Sequence, residues 1–327
     1  MNAYPLLFSP TYHQRIWGGN RLRTLFGYPI PSEQTGEAWV ISDHPNGRTT
    51  IRNGVYRGKT ISELLAEQPD WFAPKRLERF PLLVKLLDAN DTLSVQVHPD
   101  DRFAAVHENG ELGKAECWYV VHAEPGAEIV YGHTARTREE LAEMMKANRW
   151  DELLVRVPVR TGDFFYIPHG TLHALGKGIV VLEIQQNSDA TYRAYDYDRV
   201  DQSGRKRELH IDKVLQVTNV PNKPAQIRAK TAGSRFLQVN HYLDSPFFTV
   251  EKWTLRGSRD EESGDRFSLV SVLAGSARLE WSGGDLTVEK GDHLLIPRTL
   301  GRYRLAGDME AIVSFPPGQA ATLRKAG

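Results

Sequence analysis

Cysteine is almost absent: Cys117 is the single thiol in 327 residues. A lone thiol excludes an intramolecular disulfide framework and any zinc site built from several thiolates, and it fits a reducing compartment, the cytoplasm. Charge of one sign is missing too, since 41 basic side chains meet 41 acidic ones. No global field then draws the chain to nucleic acid or to an anionic membrane, and neither is expected as a partner, although neutrality leaves room for a local cationic pocket. No run of about 18 apolar residues occurs, nor does a basic N-terminal region leading into an apolar one. Secretion and membrane spanning are therefore not expected.

What is present suits packed cores: 40% of the residues are hydrophobic and 25% charged, a globular balance, and the length fits two domains of ordinary size. Short apolar or alternating runs bounded by Gly, Pro, Asp or Asn predict strands over 80–87, 92–98, 117–121 and 179–185. Two stretches predict helical inserts instead. One, near 60–75, opens with the capping box Thr60-Ile-Ser-Glu63 and presents Leu64 and Leu65. The other, near 137–154, opens with Thr137-Arg-Glu-Glu140 and carries Leu141, Met144 and Met145 at helical spacing. A last helix is expected over 209–217. The two prolines of Val220-Pro-Asn-Lys-Pro224 mark a boundary, giving one unit over 1–219 and a second, nearly all β, over 220–327.

A partial repeat links the two units. Gly162-Asp-Phe-Phe-Tyr-Ile-Pro168 and Gly291-Asp-His-Leu-Leu-Ile-Pro297 share a turn, an apolar strand and a terminating proline at equal spacing. Only the first copy continues to a histidine, His173. The same interval in the second ends at Arg302, so no metal site is expected there.

The chemistry concentrates near residue 100. In Thr92-Leu-Ser-Val-Gln-Val-His98, strand parity puts Ser94, Gln96 and His98 on one face and Leu93, Val95 and Val97 on the other, an apolar outer wall around a polar lumen. The same parity joins Lys114 to Glu116 and turns Cys117 away as an inert, buried thiol. With His173 these residues offer two imidazoles, one carboxylate and one amide, a set suited to Zn²⁺, Fe²⁺, Mn²⁺ or Co²⁺. The lack of thiolate points to a catalytic rather than a structural site. The remaining histidines read as surface or structural groups, with His169 the one candidate for a place behind the ligands.

These residues carry a resemblance. Gly162-x₅-Pro168-x-Gly170-x₂-His173 is similar to the second cupin motif, and Leu93-Ser-Val-Gln-Val-His-Pro-Asp100 with Gly113-Lys-Ala-Glu116 resembles the type I phosphomannose isomerases. The likeness extends through Trp17-Gly-Gly19, Gly36-Glu-Ala-Trp39, Ala190-Thr-Tyr-Arg-Ala-Tyr-Asp-Tyr-Asp198 and Arg207-Glu-Leu-His210, covering most of the first 215 residues, in the compact bacterial form that lacks an inserted helical domain. The resemblance implies a mainly β fold of two cupin-like β-barrel or jelly-roll units with short helical inserts. It implies one Zn²⁺ per chain on Gln96, His98, Glu116 and His173, other divalent metals being possible. It places an active-site arginine at Arg193 and phosphate contacts at Lys85 and Ser94. The implied reaction is the interconversion of mannose 6-phosphate and fructose 6-phosphate through an enediol or enediolate, with a sugar phosphate as the small-molecule partner. Lys114, whose pKa could fall beside a metal, and a metal-bound water are the candidate bases. The competing readings are another metal-dependent cupin enzyme and a non-catalytic sugar-binding cupin.

Overall fold

Residues 2–200 and 204–316 are described by the computed structural model. The strand-forming runs of the first half pair into two antiparallel sheets. In the six-stranded one, Leu82–Ala89 and Ile179–Gln186 lie between Glu116–Ala123 and Thr35–Ile41, with Phe164–Ile167 and Thr11–Gly19 at the edges. The two central strands are buried at every position, which explains why their sequences read as nearly continuous apolar runs. Alternate residues divide between two cores. Val84, Leu86, Cys117, Val180, Leu182 and Ile184 pack on one side; Leu87, Ala89, Trp118, Val120, Ile179 and Val181 pack on the other.

The five-stranded sheet runs Tyr192–Tyr195, Val95–Val97, His173–Leu175, Glu128–His133, Leu154–Pro158. Its apolar face is not an outer wall. Val95, Val97, Ala174 and Tyr192 pack beneath Leu141, Met144, Met145, Trp150, Leu153 and Val214 of the covering helices. The expected helix over 137–154 is two helices, Arg138–Lys146 and Trp150–Leu153, because Asn148 turns left-handed at φ +54, a conformation asparagine tolerates. The capping box at Thr60 forms as expected, but its helix stops at Glu67 and passes into the 3₁₀ turn Pro69–Trp71. Two short helices, Arg21–Phe26 and Asp101–His107, were not anticipated. Among the described residues no helix is long and apolar enough to cross a membrane.

The third sheet holds the C-terminal strands, with Thr249–Glu262, Arg302–Phe315 and Ser268–Trp281 at its centre. Its strand Ser268–Trp281 runs 14 residues with a register shift between Val272 and Ala274. The repeat is visible as geometry. In both copies the aspartate carboxylate accepts a backbone N–H three residues upstream, Arg160 N to Asp163 Oδ2 and Glu289 N to Asp292 Oδ2, each at 2.9 Å. In both the preceding glycine has positive φ, +96 at Gly162 and +91 at Gly291. Packing also crosses the expected boundary at 220. The first strand, Leu6–Ser9, pairs with His293–Ile296, and Phe267 stacks on Phe80 at 5.2 Å.

Candidate metal centre and active site

Register builds the site. Gln96 is opposite His173 on one side and Arg193 on the other, so three strands of the five-stranded sheet bring an amide, an imidazole and a guanidinium into one row. The six-stranded sheet faces this row with its own polar line, in which Glu183 is paired with both Lys85 and Trp118, and Lys85 with Trp39. Between them lies a cavity of about 290 Å³, lined also by Arg15, Glu37, His98, Lys114, Glu116, Asp189 and Arg207. A larger depression, about 700 Å³, between the Asp43–Arg48 turn and Asn109–Glu111 holds none of these groups.

Three buried ligand atoms, from His98, Glu116 and His173, lie within 4.8 Å of one another. His98 Nε2 is 3.3 Å from Glu116 Oε2, and His173 Nε2 is 3.2 Å from Glu116 Oε1. Each imidazole donates its Nδ1–H to a backbone carbonyl, His98 to Ala190 and His173 to Thr171, both at 2.9 Å. Those bonds fix the tautomer and leave both Nε2 lone pairs aimed inward, as metal-ligating histidines require. Burial and then Lys114 push the His98 pKa down to about 3, so that imidazole is neutral at physiological pH. Burial would raise Glu116, but Lys114, His98 and His173 hold it well below the usual carboxylate range. The chain's own residues therefore fit a divalent cation: two imidazoles with inward Nε2 atoms, one ionised carboxylate, and no thiolate. Gln96 stands beside them with its Nε2 donating to Ser94 Oγ at 3.2 Å.

Lys114 faces the same point. Its Nζ donates to Glu116 Oε2 at 2.5 Å and to His98 Nε2 at 3.1 Å. Burial lowers its pKa, but Glu116 and Glu183 raise it further, and the ammonium is held protonated. Arg193 lines the cavity. Its Nη1 donates to the Glu208 carbonyl at 2.7 Å, while its buried Nε has no partner among the described residues. Burial and the neighbouring Arg207 lower its pKa. Lys85 enters the cavity between two carboxylates, 3.9 Å from Glu37 and 3.8 Å from Glu183, with Nζ 4.5 Å above the Trp39 ring. Ser94 does not line the cavity; it is 1% exposed beneath Gln96. His169 does not touch the ligands but meets Gln186 Oε1 at 2.7 Å. Tyr192 faces away, its hydroxyl donating to Glu108 at 2.8 Å.

Sequence reasoning missed Glu183. It is buried, accepts from Trp118 Nε1 at 3.0 Å, and burial together with Glu116 raises its pKa. The signal was available: a lone carboxylate in the apolar run 179–184 needs a partner as much as Lys85 does in its own strand. His210, read as a structural histidine, supports Arg193 from the backbone side. Its Nδ1 accepts the Arg193 backbone N–H at 3.0 Å.

Known proteins resemble this chain in sequence and fold. A family model described as phosphomannose isomerase type I, catalytic domain, matches residues 6–113. A second, mannose-6-phosphate isomerase, cupin domain, matches 238–316, where the sequence had offered only general β character. Mannose-6-phosphate isomerase of Streptococcus mutans is 51% identical over 95% of this chain and 98% of its own length. The chain belongs to the type I phosphomannose isomerase family. Another relative, mannose-6-phosphate isomerase ManA of Bacillus subtilis, is 48% identical over 96% of this chain and 99% of its own. A crystal structure of the mannose 6-phosphate isomerase from Bacillus subtilis superposes with a TM-score of 0.93 at 44% identity, covering 95% of this chain and 99% of that one. At 16% identity, a variant of phosphomannose isomerase from Salmonella typhimurium still reaches a TM-score of 0.78 over 97% of this chain and 100% of that one, a likeness of fold. The expected mainly β, cupin-type architecture is thus found in the family's known structures.

Proposed function

We propose that this chain interconverts mannose 6-phosphate and fructose 6-phosphate in the cytoplasm, using one Zn²⁺ held by Gln96, His98, Glu116 and His173. The observation that carries the proposal is the convergence of two inward Nε2 atoms and a carboxylate in a buried cavity that also contains Arg193 and Lys114. When bound, the cation would polarise the sugar carbonyl and stabilise negative charge on the neighbouring oxygen.

The reaction moves a proton from C2 to C1 through an enediol or enediolate, and its barrier is carbanion formation. Arg193 supplies fixed positive charge in the cavity lining, with its unpartnered Nε free to donate to a developing oxyanion. Lys114, whose ammonium lies 2.5 Å from Glu116 Oε2 and 3.1 Å from His98 Nε2, is placed to exchange a proton with the sugar beside the metal ligands. The carboxylate whose proton affinity is raised, Glu183, is placed to take the C2 proton. Lys85 is assigned to the substrate phosphate, with Glu37 and Glu183 as its partners before substrate enters. A coupled assay for fructose 6-phosphate, run before and after chelation, tests the whole reading. Turnover that survives complete removal of divalent metal would overturn it.

A further inference from the structure

The two imidazoles are held from behind by backbone carbonyls, His98 by Ala190 and His173 by Thr171. Gln96 differs from them in kind. Its side chain ends in an oxygen that can ligate a cation and an amino group that cannot, and the terminal torsion of an amide is broad and roughly two-fold. Nothing within the side chain chooses which end points at the metal. The choice must come from a neighbour.

That neighbour is Ser94. It lies two residues upstream, just before the strand Val95–Val97 begins, 1% exposed, and its hydroxyl oxygen accepts the Gln96 Nε2–H at 3.2 Å. We propose that Ser94 is a positioning residue for the metal: by engaging the amino end of Gln96 it turns Oε1 toward His98, Glu116 and His173. The inference rests on the ligand set proposed above, and it replaces the phosphate contact expected of Ser94. A buried hydroxyl beneath Gln96, outside the cavity lining, is poorly placed to meet a phosphate that enters through the cavity.

Loss of the Ser94 hydroxyl frees the amide to present either end, and weakening of roughly 10–100-fold in metal affinity is the usual scale for deleting such an outer partner. Threonine keeps the hydroxyl and should restore affinity. Glutamate at 96 offers oxygen at both ends, so in a Gln96→Glu background the loss of Ser94 should matter much less.

The experiment is a Zn²⁺ titration against a competing chelator on the full chain, for the unaltered protein and for Ser94→Ala, Ser94→Thr, Gln96→Glu, Gln96→Glu with Ser94→Ala, and His98→Ala. Steady-state rates at saturating Zn²⁺ on mannose 6-phosphate and on mannose accompany it. The expected result is a 10–100-fold weaker dissociation constant for Ser94→Ala, on the scale given above, near-full recovery in Ser94→Thr, and little further loss in the double variant. Wild-type Zn²⁺ affinity in Ser94→Ala with a raised KM for the phosphorylated sugar alone would overturn the inference in favour of phosphate contact. Wild-type affinity in His98→Ala would instead sink the ligand set itself, so the two failures are distinguishable.

Discussion

At the scale of single residues, the site sets a positive demand on each side chain. His98→Ala and His173→Ala should each lose bound metal and isomerase activity together, because a buried three-atom cluster missing one imidazole cannot hold the ion tightly. Metal analysis of the purified variants checks this, and stoichiometric zinc in either would contradict it. Arg193→Ala should keep its metal while kcat falls roughly 10²–10³-fold, the scale for removing one preorganised donor to a developing charge. A raised KM at constant kcat would place Arg193 in ordinary substrate binding. Lys85→Ala should lower kcat/KM for mannose 6-phosphate by about 1.5–3 kcal/mol in transition-state terms, the usual worth of a hydrogen bond to a charged group, and leave weak turnover of mannose nearly unchanged. Equal losses for both sugars would remove Lys85 from the phosphate. Acid stability follows from the same groups. His98 is pushed down to about 3 and Glu37 to about 2, the latter because Lys85 and Arg15 outweigh its burial. A depressed folded-state pKa contributes stability above the unfolded value that is lost as pH falls through the folded one. Melting temperatures should therefore decline from about pH 6.5 as His98 begins to resist protonation, and again below about pH 4.5 as Glu37 does.

At the scale of elements, strand parity decides what a substitution can reach. Cys117 follows Glu116 but belongs to the opposite core with Val84, Leu86 and Ile184. Cys117→Ser should thus retain metal and most activity while losing about 1–3 kcal/mol of stability to a buried hydroxyl in apolar surroundings. Chemical denaturation alongside metal analysis separates the two effects, and loss of metal at unchanged fold would mean that the parity is misassigned. Parity was legible because alternation needs only the local chain. The division of residues 137–154 into two helices was not, since one asparagine that adopts a left-handed turn looks like any polar helix residue. The short helix Asp101–His107 was hidden for another reason. Only Ala104 is buried in it, so no apolar face announces it, and its one sequence signal is Asp100, whose carboxylate accepts the Phe103 N–H at 2.8 Å.

At the scale of the whole molecule, the N-terminal strand and the C-terminal sheet are one structure. Leu6 and Phe8 share a core with Phe248, Phe267, Leu269 and Leu295, whose sequence positions lie beyond the expected boundary. We propose that residues 220–327 act as a scaffold for the unit that carries the chemistry. A chain ending at residue 219 should then be poorly soluble and unable to retain zinc, because Leu6, Phe8 and Phe80 would lose the surface that covers them. A soluble, metal-loaded fragment would show that the first unit folds alone.

The sequence by itself determined the chemistry on offer. Cys117 alone excluded thiolate sites, alternation placed Gln96 and His98 on one face, and Gly162 to Pro168 with its partial copy at Gly291 announced two related strand-turn units. These depend on neighbours within a few residues, where backbone geometry is set locally. Tertiary structure decided which distant groups share the cavity. That Glu183 lies opposite Lys85 and that Gln96 is flanked by His173 and Arg193 both follow from pairing register between strands far apart in the chain. It also decided that Ser94 is buried outside the cavity wall, while Leu93, which alternation put on the outer face, lines the cavity. Parity fixes a face only where the chain is a strand, and both residues precede Val95–Val97.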